Sequence, residues 1–298
     1  DLAHPRLAHV RPIPLKKTLI LGAGGQLGLA LRAVYGDAPH VEYATRTDLD
    51  ITAPGLVTAR RWRDYDIIIN ASAYTAVDTA ETPDGRTAAW AANATGPAAL
   101  ARIASENGIT LVHVSSDYVY DGTKHGPYTE ADAISPLGVY GQTKAAGDAA
   151  VATTPRHYII RTSWVIGEGN NFVRTMASLA ERGINPKVVS DQTGRLTFTT
   201  DIATGIRHLL ETRPAYGTYN LTGTGPITTW ADIARQVFEL TGHDPDRITG
   251  VSTAEYFSAA PAPVAPRPRN STLDLTKTMN SGFAPTDARA SLSTYLGV

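Results

Sequence analysis

Short apolar runs alternate with helical patterns through the first half of the chain. Lys16–Leu21, Val41–Ala44, Asp66–Asn70, Ile109–Val114 and His157–Arg161 are continuous aliphatic or β-branched stretches. Runs of this kind read as strands buried on both faces. The segments after Gly28, from Thr87 to Ser105, and from Tyr140 to Ala150 carry helical patterns. This alternation predicts βαβ units and an α/β fold built on a doubly wound parallel sheet. Beyond Arg161 the pattern loosens. Residues 162–167 and 169–172 read as loops, Lys187–Ser190 and Tyr216–Leu221 as strands, and Asp201–Glu211 and Thr229–Leu240 as helices. The proline-rich stretch from Pro261 to Asn270 cannot form a regular element. The expected organisation is a linker or extension over 1–15, a main domain over 16–162 to which segments near 198–222 return, and a smaller α/β lobe mainly over 163–298.

The first strand empties into Gly22-Ala23-Gly24-Gly25-Gln26-Leu27-Gly28 and then a helix. Strand, glycine loop and helix in that order suit a dinucleotide: the backbone can approach the pyrophosphate closely, and the helix start offers free N–H groups. The spacing is Gly-x-x-Gly-x-x-Gly, so a plain strand-to-helix turn is the competing reading. The second strand ends in Thr45-Arg46 with no carboxylate at its tip. Arg46 can pair with a 2′-phosphate, which points to NADPH. Glu42 would favour NADH if the strand were shorter, and Arg46 could instead be a solvated surface arginine. Asp50-Ile51 would pass the adenine, and the small residues around Ala71, Ala73, Tyr74 and Thr75 would let the cofactor near the backbone. Asn93 stands inside a helical pattern, where asparagine competes for backbone hydrogen bonds, so it marks a cap, a kink or a further role.

Ser135–Lys144 carries the candidate chemistry. In a helix, Tyr140 and Lys144 lie one turn apart on one face. A neighbouring ammonium favours the phenolate, so Lys144 is expected to lower the Tyr140 pKa toward the working range of a proton donor. The alternative is a partly buried helix tyrosine beside a snorkelling lysine. A second Tyr-x-x-x-Lys, Tyr120 to Lys124, contains an Asp-Gly turn and should not share a helical face. Ser115-Ser116 ends the fourth strand, so the Ser116 hydroxyl should face the same crevice as the glycine loop.

Composition narrows the partners. With 27 basic and 28 acidic residues the formal net charge is −1, so nothing global draws the chain to nucleic acid or a membrane surface. The chain has no cysteine, which excludes disulfides and thiol chemistry and suits a cytoplasmic location. No apolar run approaches the roughly 20 residues needed to span a bilayer. The 8 histidines show no zinc spacing.

Several separated motifs then converge: the Gly22–Gly28 loop, NASAYTAVDTAE (70–81), SSDYVYD (115–121), SPLGVYGQTKAAG (135–147), RTSWV (161–165), GNNF (169–172), DQTG (191–194) and RPRNS (267–271). Together they resemble the extended short-chain dehydrogenases/reductases and, within them, the dTDP-4-dehydrorhamnose reductase family, over about residues 17–298. The resemblance implies a Rossmann-like fold with a C-terminal substrate-binding lobe. It also implies NADPH-dependent reduction of the C4 keto group of a nucleotide-linked sugar. It places the proton donor on Tyr140, the cofactor-binding lysine on Lys144 and the carbonyl-polarising hydroxyl on Ser116. Ser116, Asp117, Tyr140, Trp164 and Asn171 would meet the substrate. Gly22, Gly25, Gln26, Leu27, Gly28, Arg46, Asp50, Ile51, Ala71, Ala73, Tyr74 and Thr75 would meet the cofactor, together with Tyr140 and Lys144. Ser116 stands where the family usually has threonine, and Leu196 where it has proline. Mg2+ is associated with parts of the family, but no carboxylate cluster in this sequence places it. A homodimer is compatible with the resemblance. Some actinobacterial relatives fuse a 3,5-epimerase to the reductase, which would make the proline-rich start, without Met, an interdomain linker.

Two other readings stay open on the sequence. A 4-epimerase or dehydratase could use the same scaffold, although elimination commonly needs an Asp-Glu pair and here Asp117 is followed by Tyr118. A non-catalytic regulatory subunit would have no need of the Ser116, Tyr140 and Lys144 set.

Overall fold

The computed structural model describes residues 16–298, and the segment expected to be a linker, 1–15, lies outside the described residues. The first half runs β1 (Lys17–Leu21), α1 (Gln26–Tyr35), β2 (Val41–Ala44), β3 (Tyr65–Asn70), α2 (Pro83–Trp90), α3 (Gly96–Asn107), β4 (Thr110–Ser116), α4 (Val139–Val151) and β5 (His157–Thr162). The second half follows with β6 (Val165–Ile166), α5 (Phe172–Glu181), β7 (Lys187–Val189), β8 (Thr193–Gly194), β9 (Thr197–Phe198), α6 (Thr199–Thr212) and β10 (Gly217–Asn220). It closes with β11 (Thr228–Thr229), α7 (Trp230–Leu240), β12 (Thr249–Val251), α8 (Thr253–Tyr256), α9 (Thr276–Asn280) and α10 (Ala288–Leu296).

Six strands form one parallel sheet in the order β10-β5-β4-β3-β1-β2. Side chains alternate along β1. Leu19 and Leu21 enter a core with Ile68, Leu100 and Leu111, while Ile20 enters the opposite one with Val112, Tyr158 and Ile206. Burial on both faces is why these strands read as continuous apolar runs. The chain passes from β1 outward to β2 and then back across to β3, so the strand order reverses at β1 and a crevice opens at the carboxyl ends of β1 and β3. A third core joins α5, α7 and α10 to β6, β7 and β9 through Val173, Met176, Phe198, Val237 and Phe238.

Three departures from the sequence expectation matter for the site. The helix expected over 87–105 is two helices joined by a π-helical turn, Ala91–Thr95. Pro97 has no N–H to return to the Asn93 carbonyl, and Gly147 of α4 packs there instead, so closely that a Cβ would lie 2.1 Å from that oxygen. Strand β4 runs two residues farther than expected, with Ser115 and Ser116 in register with Arg161 and Thr162. Residues 165–166 pair with β9, and Phe172 opens α5, so this stretch is more regular than the loop expected.

Candidate active site

The glycine loop forms a cradle. Gly22 has φ +71°, and a Cβ there would lie 2.7 Å from the Ala71 carbonyl carbon, so only glycine fits the exit from β1. A Cβ on Gly28 would lie 2.2 Å from the Gly22 oxygen. No side chain caps the first turn of α1, leaving the N–H groups of Gln26, Leu27 and Gly28 to serve a ligand. Above the cradle lies a cavity of about 410 Å³. Gly22, Gly25, Arg46, Asp50, Ile51, Ala71, Ala73 and Tyr74 line it, as does Ser72, which the sequence did not single out. The Leu27 side chain packs into the core, and Thr75 is exposed on the loop beyond the lining.

At the tip of β2, the Arg46 side chain is 87% exposed and pairs loosely with Asp50 at 3.4 Å. Glu42 turns away from the cavity, paired with Arg60 at 3.0 Å and with the Tyr65 hydroxyl. This removes the carboxylate that would have favoured a free ribose hydroxyl.

Helix α4 starts at Gly138, which has no capping side chain; the Glu81 carboxylate from across the crevice accepts the Val139 N–H at 2.9 Å instead. Asn93 ties the same helix to the cofactor side. Its amide accepts from Tyr74 N at 2.9 Å and donates to Tyr74 O at 3.0 Å and to Thr143 Oγ1 at 3.1 Å. These bonds give the mid-helix asparagine its reason.

Tyr140 and Lys144 share α4, and Lys144 is buried. The Tyr140 ring packs against the same small core as Tyr74, which lines the first cavity. It also meets Tyr118 edge-on, with centroids 5.3 Å apart. Ser116 ends β4 close enough to favour the charged form of the Tyr140 phenol; its hydroxyl accepts from Tyr118 N at 3.1 Å and donates to Asp117 Oδ1 at 3.3 Å. The electrostatics correct the sequence expectation. The Lys144 ammonium donates to the Val114 carbonyl at 2.7 Å, and burial pushes the Tyr140 phenol up to about 12, with the Ser116 hydroxyl acting against it. Lys144 is not among the groups that act on the phenol; burial raises it, and the Asp117 and Asp148 carboxylates add to the rise. Burial also pushes the Asp117 carboxyl up to about 7, against the lowering influence of the Ser271 and Ser116 hydroxyls. Lys144 is pushed down to about 8 by burial, opposed by Asp148.

The alternative tyrosine-lysine pair falls apart as expected. Tyr120 donates to Thr129 O at 3.0 Å and Lys124 pairs with Asp132 at 2.6 Å.

A second cavity of about 290 Å³ lies beyond Tyr118, lined by Trp164, Trp230, Phe172, Gln192, Tyr256, Phe257 and Arg267 among others. Trp164 stacks on Trp230 at 4.0 Å and holds φ +48°, a conformation rare outside glycine; Gly194 lies flat against its ring. Asn171, expected to meet a substrate, does not line this cavity. It caps α5 by accepting from Arg174 N at 3.0 Å, and its amide donates to the Gly167 and Gly169 carbonyls and the Tyr295 hydroxyl. All its polar groups are spent on the fold. Arg267 was visible only inside a motif; the structure pairs it bidentately with Asp78 at 2.9 and 3.0 Å, joining two motifs 189 residues apart. Trp230 carried no sequence signal beyond its place at a helix start. Among the described residues no group of three or more histidines or carboxylates could hold a metal, so the Mg2+ expectation finds no site there. No helix among them is long and apolar enough to cross a membrane.

A glycine cradle at the switch point, with serine, tyrosine and lysine gathered at the adjoining strand end, defines an oxidoreductase of the short-chain dehydrogenase/reductase type. More narrowly, the chain belongs to the family whose sequence model, described as RmlD substrate binding domain, matches residues 16–297. It is 38% identical over 294 residues to a dTDP-4-dehydrorhamnose reductase of Aggregatibacter actinomycetemcomitans, covering 93% of this chain and 97% of the relative. It is 42% identical to the Salmonella typhimurium enzyme of the same name, covering 87% and 89%. The solved structure of a Clostridium acetobutylicum dTDP-4-dehydrorhamnose reductase superposes with a TM-score of 0.86 at 36% identity, over 94% of this chain and 98% of that one. A Bacillus anthracis dTDP-4-dehydrorhamnose reductase in complex with NADP gives 0.83 at 32% identity, over 95% and 100%.

Proposed function

We propose that this chain reduces the C4 keto group of dTDP-4-dehydro-L-rhamnose with NADPH, giving dTDP-L-rhamnose. The observation that carries the reading is the place of Tyr140 between the two cavities: its ring shares a small core with Tyr74 of the first and meets Tyr118 of the second edge-on at 5.3 Å.

The first cavity fits a dinucleotide: the cradle at Gly22 and Gly28 would be closed by a single methyl group, and the α1 start is uncapped. The cofactor's chemistry when bound is hydride donation to a carbonyl carbon. Gly25, Gln26, Leu27 and Gly28 would hold its pyrophosphate, Arg46 a 2′-phosphate, and Lys144 the nicotinamide ribose. Tyr140 then gives its phenolic proton to the carbonyl oxygen as that oxygen gains charge, and the phenolate recovers a proton from solvent. A phenol held near 12 is fully proton-loaded at neutral pH and can pass its proton to the more basic alkoxide as that forms. Ser116 donates a hydrogen bond to the same oxygen and polarises it. Asp117 and Trp164 would meet the sugar, and the aromatic cavity lined by Trp164, Trp230, Phe172 and Tyr256 would take the rest of the nucleotide sugar.

NADPH consumption against a panel of dTDP- and GDP-linked 4-keto sugars tests the proposal. Turnover is expected with the dTDP-linked 4-keto-L-rhamnose. Bound, stoichiometric oxidised NAD with no NADPH consumption would instead mark an epimerase.

A further inference from the structure

Resting on that reading, we propose that Asp78 is a positioning residue for the nucleotide sugar: from the loop that lines the cofactor cavity, it holds the segment that walls the aromatic cavity. The loop leaves β3 and passes Ala71, Ser72, Ala73 and Tyr74, all at the first cavity, to reach Asp78 at the head of a 3-10 turn, Thr79–Glu81. Asp78 itself lines neither cavity. Its carboxylate is taken up by a segment far along the chain. Oδ1 accepts from Ala265 N at 2.8 Å and Arg267 Nη1 at 2.9 Å, and Oδ2 accepts from Arg267 Nη2 at 3.0 Å. Arg267, Pro268 and Ser271 of that segment line the second cavity.

The segment is anchored at its far end by the loop after β4 and by β8. Pro268 packs on Gly122, where a Cβ would lie 2.5 Å from the proline Cβ. Thr193 N donates to Arg269 O and Ser271 N to Thr193 O, each at 2.8 Å. At its near end Pro261, Pro263 and Pro266 have no N–H to give, and Asp78 supplies the tether. The pair is more than a loose surface contact. The guanidinium meets both carboxylate oxygens, its side chain is only 17% exposed, and it lies 4.5 Å from the Phe257 ring centroid. Three residues after Asp78, Glu81 accepts the Val139 N–H at the head of α4, where Pro266 also packs: a Cβ on Gly138 would lie 3.3 Å from its ring. One short turn thus sets both a wall of the aromatic cavity and the start of the helix that carries Tyr140. Without the Asp78 carboxylate, Arg267 and the Ala265 N–H lose their shared acceptor. The wall is then no longer fixed to the cofactor loop, while the glycine cradle is untouched.

The test compares wild type with Asp78→Ala. It reads kcat and KM for the dTDP-linked keto sugar, dTDP affinity by calorimetry and NADPH affinity by fluorescence titration. In Asp78→Ala, KM for the sugar and Kd for dTDP are expected to rise about tenfold or more, with kcat changed less and NADPH affinity kept. Wild-type values of both KM and dTDP affinity in Asp78→Ala overturn the inference and leave the proposed reaction standing. A loss of NADPH affinity as large as the loss for dTDP also overturns it, since the whole loop would then be damaged. If wild type binds dTDP but reduces no keto sugar, the proposed reaction fails, and the dTDP affinities alone decide the inference. If it binds neither dTDP nor the keto sugar, both fall. Should Asp78→Ala not fold, Asp78→Asn replaces it under the same outcomes.

Discussion

The Lys144 ammonium donates to the Val114 carbonyl at 2.7 Å across 30 residues of sequence, tying the middle of α4 to the end of β4. Val114 lies two residues before Ser116, so this one bond fixes the helix that carries the phenol against the strand that carries the serine hydroxyl. Lys144→Met is expected to leave a folded protein with weaker NADPH binding and kcat/KM lower by about 10²-fold or more. Lys144→Arg should not restore it, because a planar guanidinium does not replace a compact ammonium in a buried site. Fluorescence titration with NADPH and steady-state kinetics check both.

Arg46 stands at the end of β2 with its side chain mostly in solvent and only a long contact to Asp50. It is therefore free to turn onto a 2′-phosphate. Arg46→Ala is expected to raise KM for NADPH by about tenfold, in the range of one charge-assisted hydrogen bond, and to leave KM for NADH unchanged. Measuring both cofactors separates this from general damage to the cavity.

Asp117 gives a pH signature. Its folded-state carboxyl stands near 7, above its usual carboxylate value, because burial outweighs its hydrogen bonds. Between about pH 4 and 7 the folded state thus binds more protons than the unfolded chain, and the stability this group contributes is lost as pH rises through 7. Asp117→Asn is expected to raise Tm at pH 8 by about 2–4 °C or more and to change it little at pH 4. Thermal melts at the two pH values are the measurement.

Asn93 satisfies both backbone groups of Tyr74 and the Thr143 hydroxyl from a site 1% exposed. Asn93→Ala leaves a buried N–H and C=O without partners, which costs about 1–3 kcal/mol per group. A denaturant midpoint lowered to match, with weaker NADPH binding because the 71–75 loop loosens, is the expected result.

Much of the sheet could be read from the chain because β1, β3 and β4 are buried on both faces and have little room for polar residues. The cradle was readable for a similar reason, since Gly22 and Gly28 answer to close backbone contacts that no other residue tolerates. What the sequence hid depends on contacts between distant segments. Nothing local in Asn171 says that its amide will be spent capping α5 and tying Tyr295. Nothing in the Tyr140–Lys144 spacing reveals that Val114 will take the ammonium while burial raises the phenol. The π-helical turn at Asn93 likewise follows from Pro97 together with Gly147, 50 residues later, and neither alone predicts it.

The central claim is that Tyr140 delivers the proton in a carbonyl reduction. Replacing Tyr140 by Phe removes that hydroxyl and keeps the ring that packs against Tyr118. The account predicts a fall in kcat of about 10²–10⁴-fold with NADPH affinity unchanged; a Tyr140→Phe enzyme that turns over the keto sugar at the wild-type rate would contradict it.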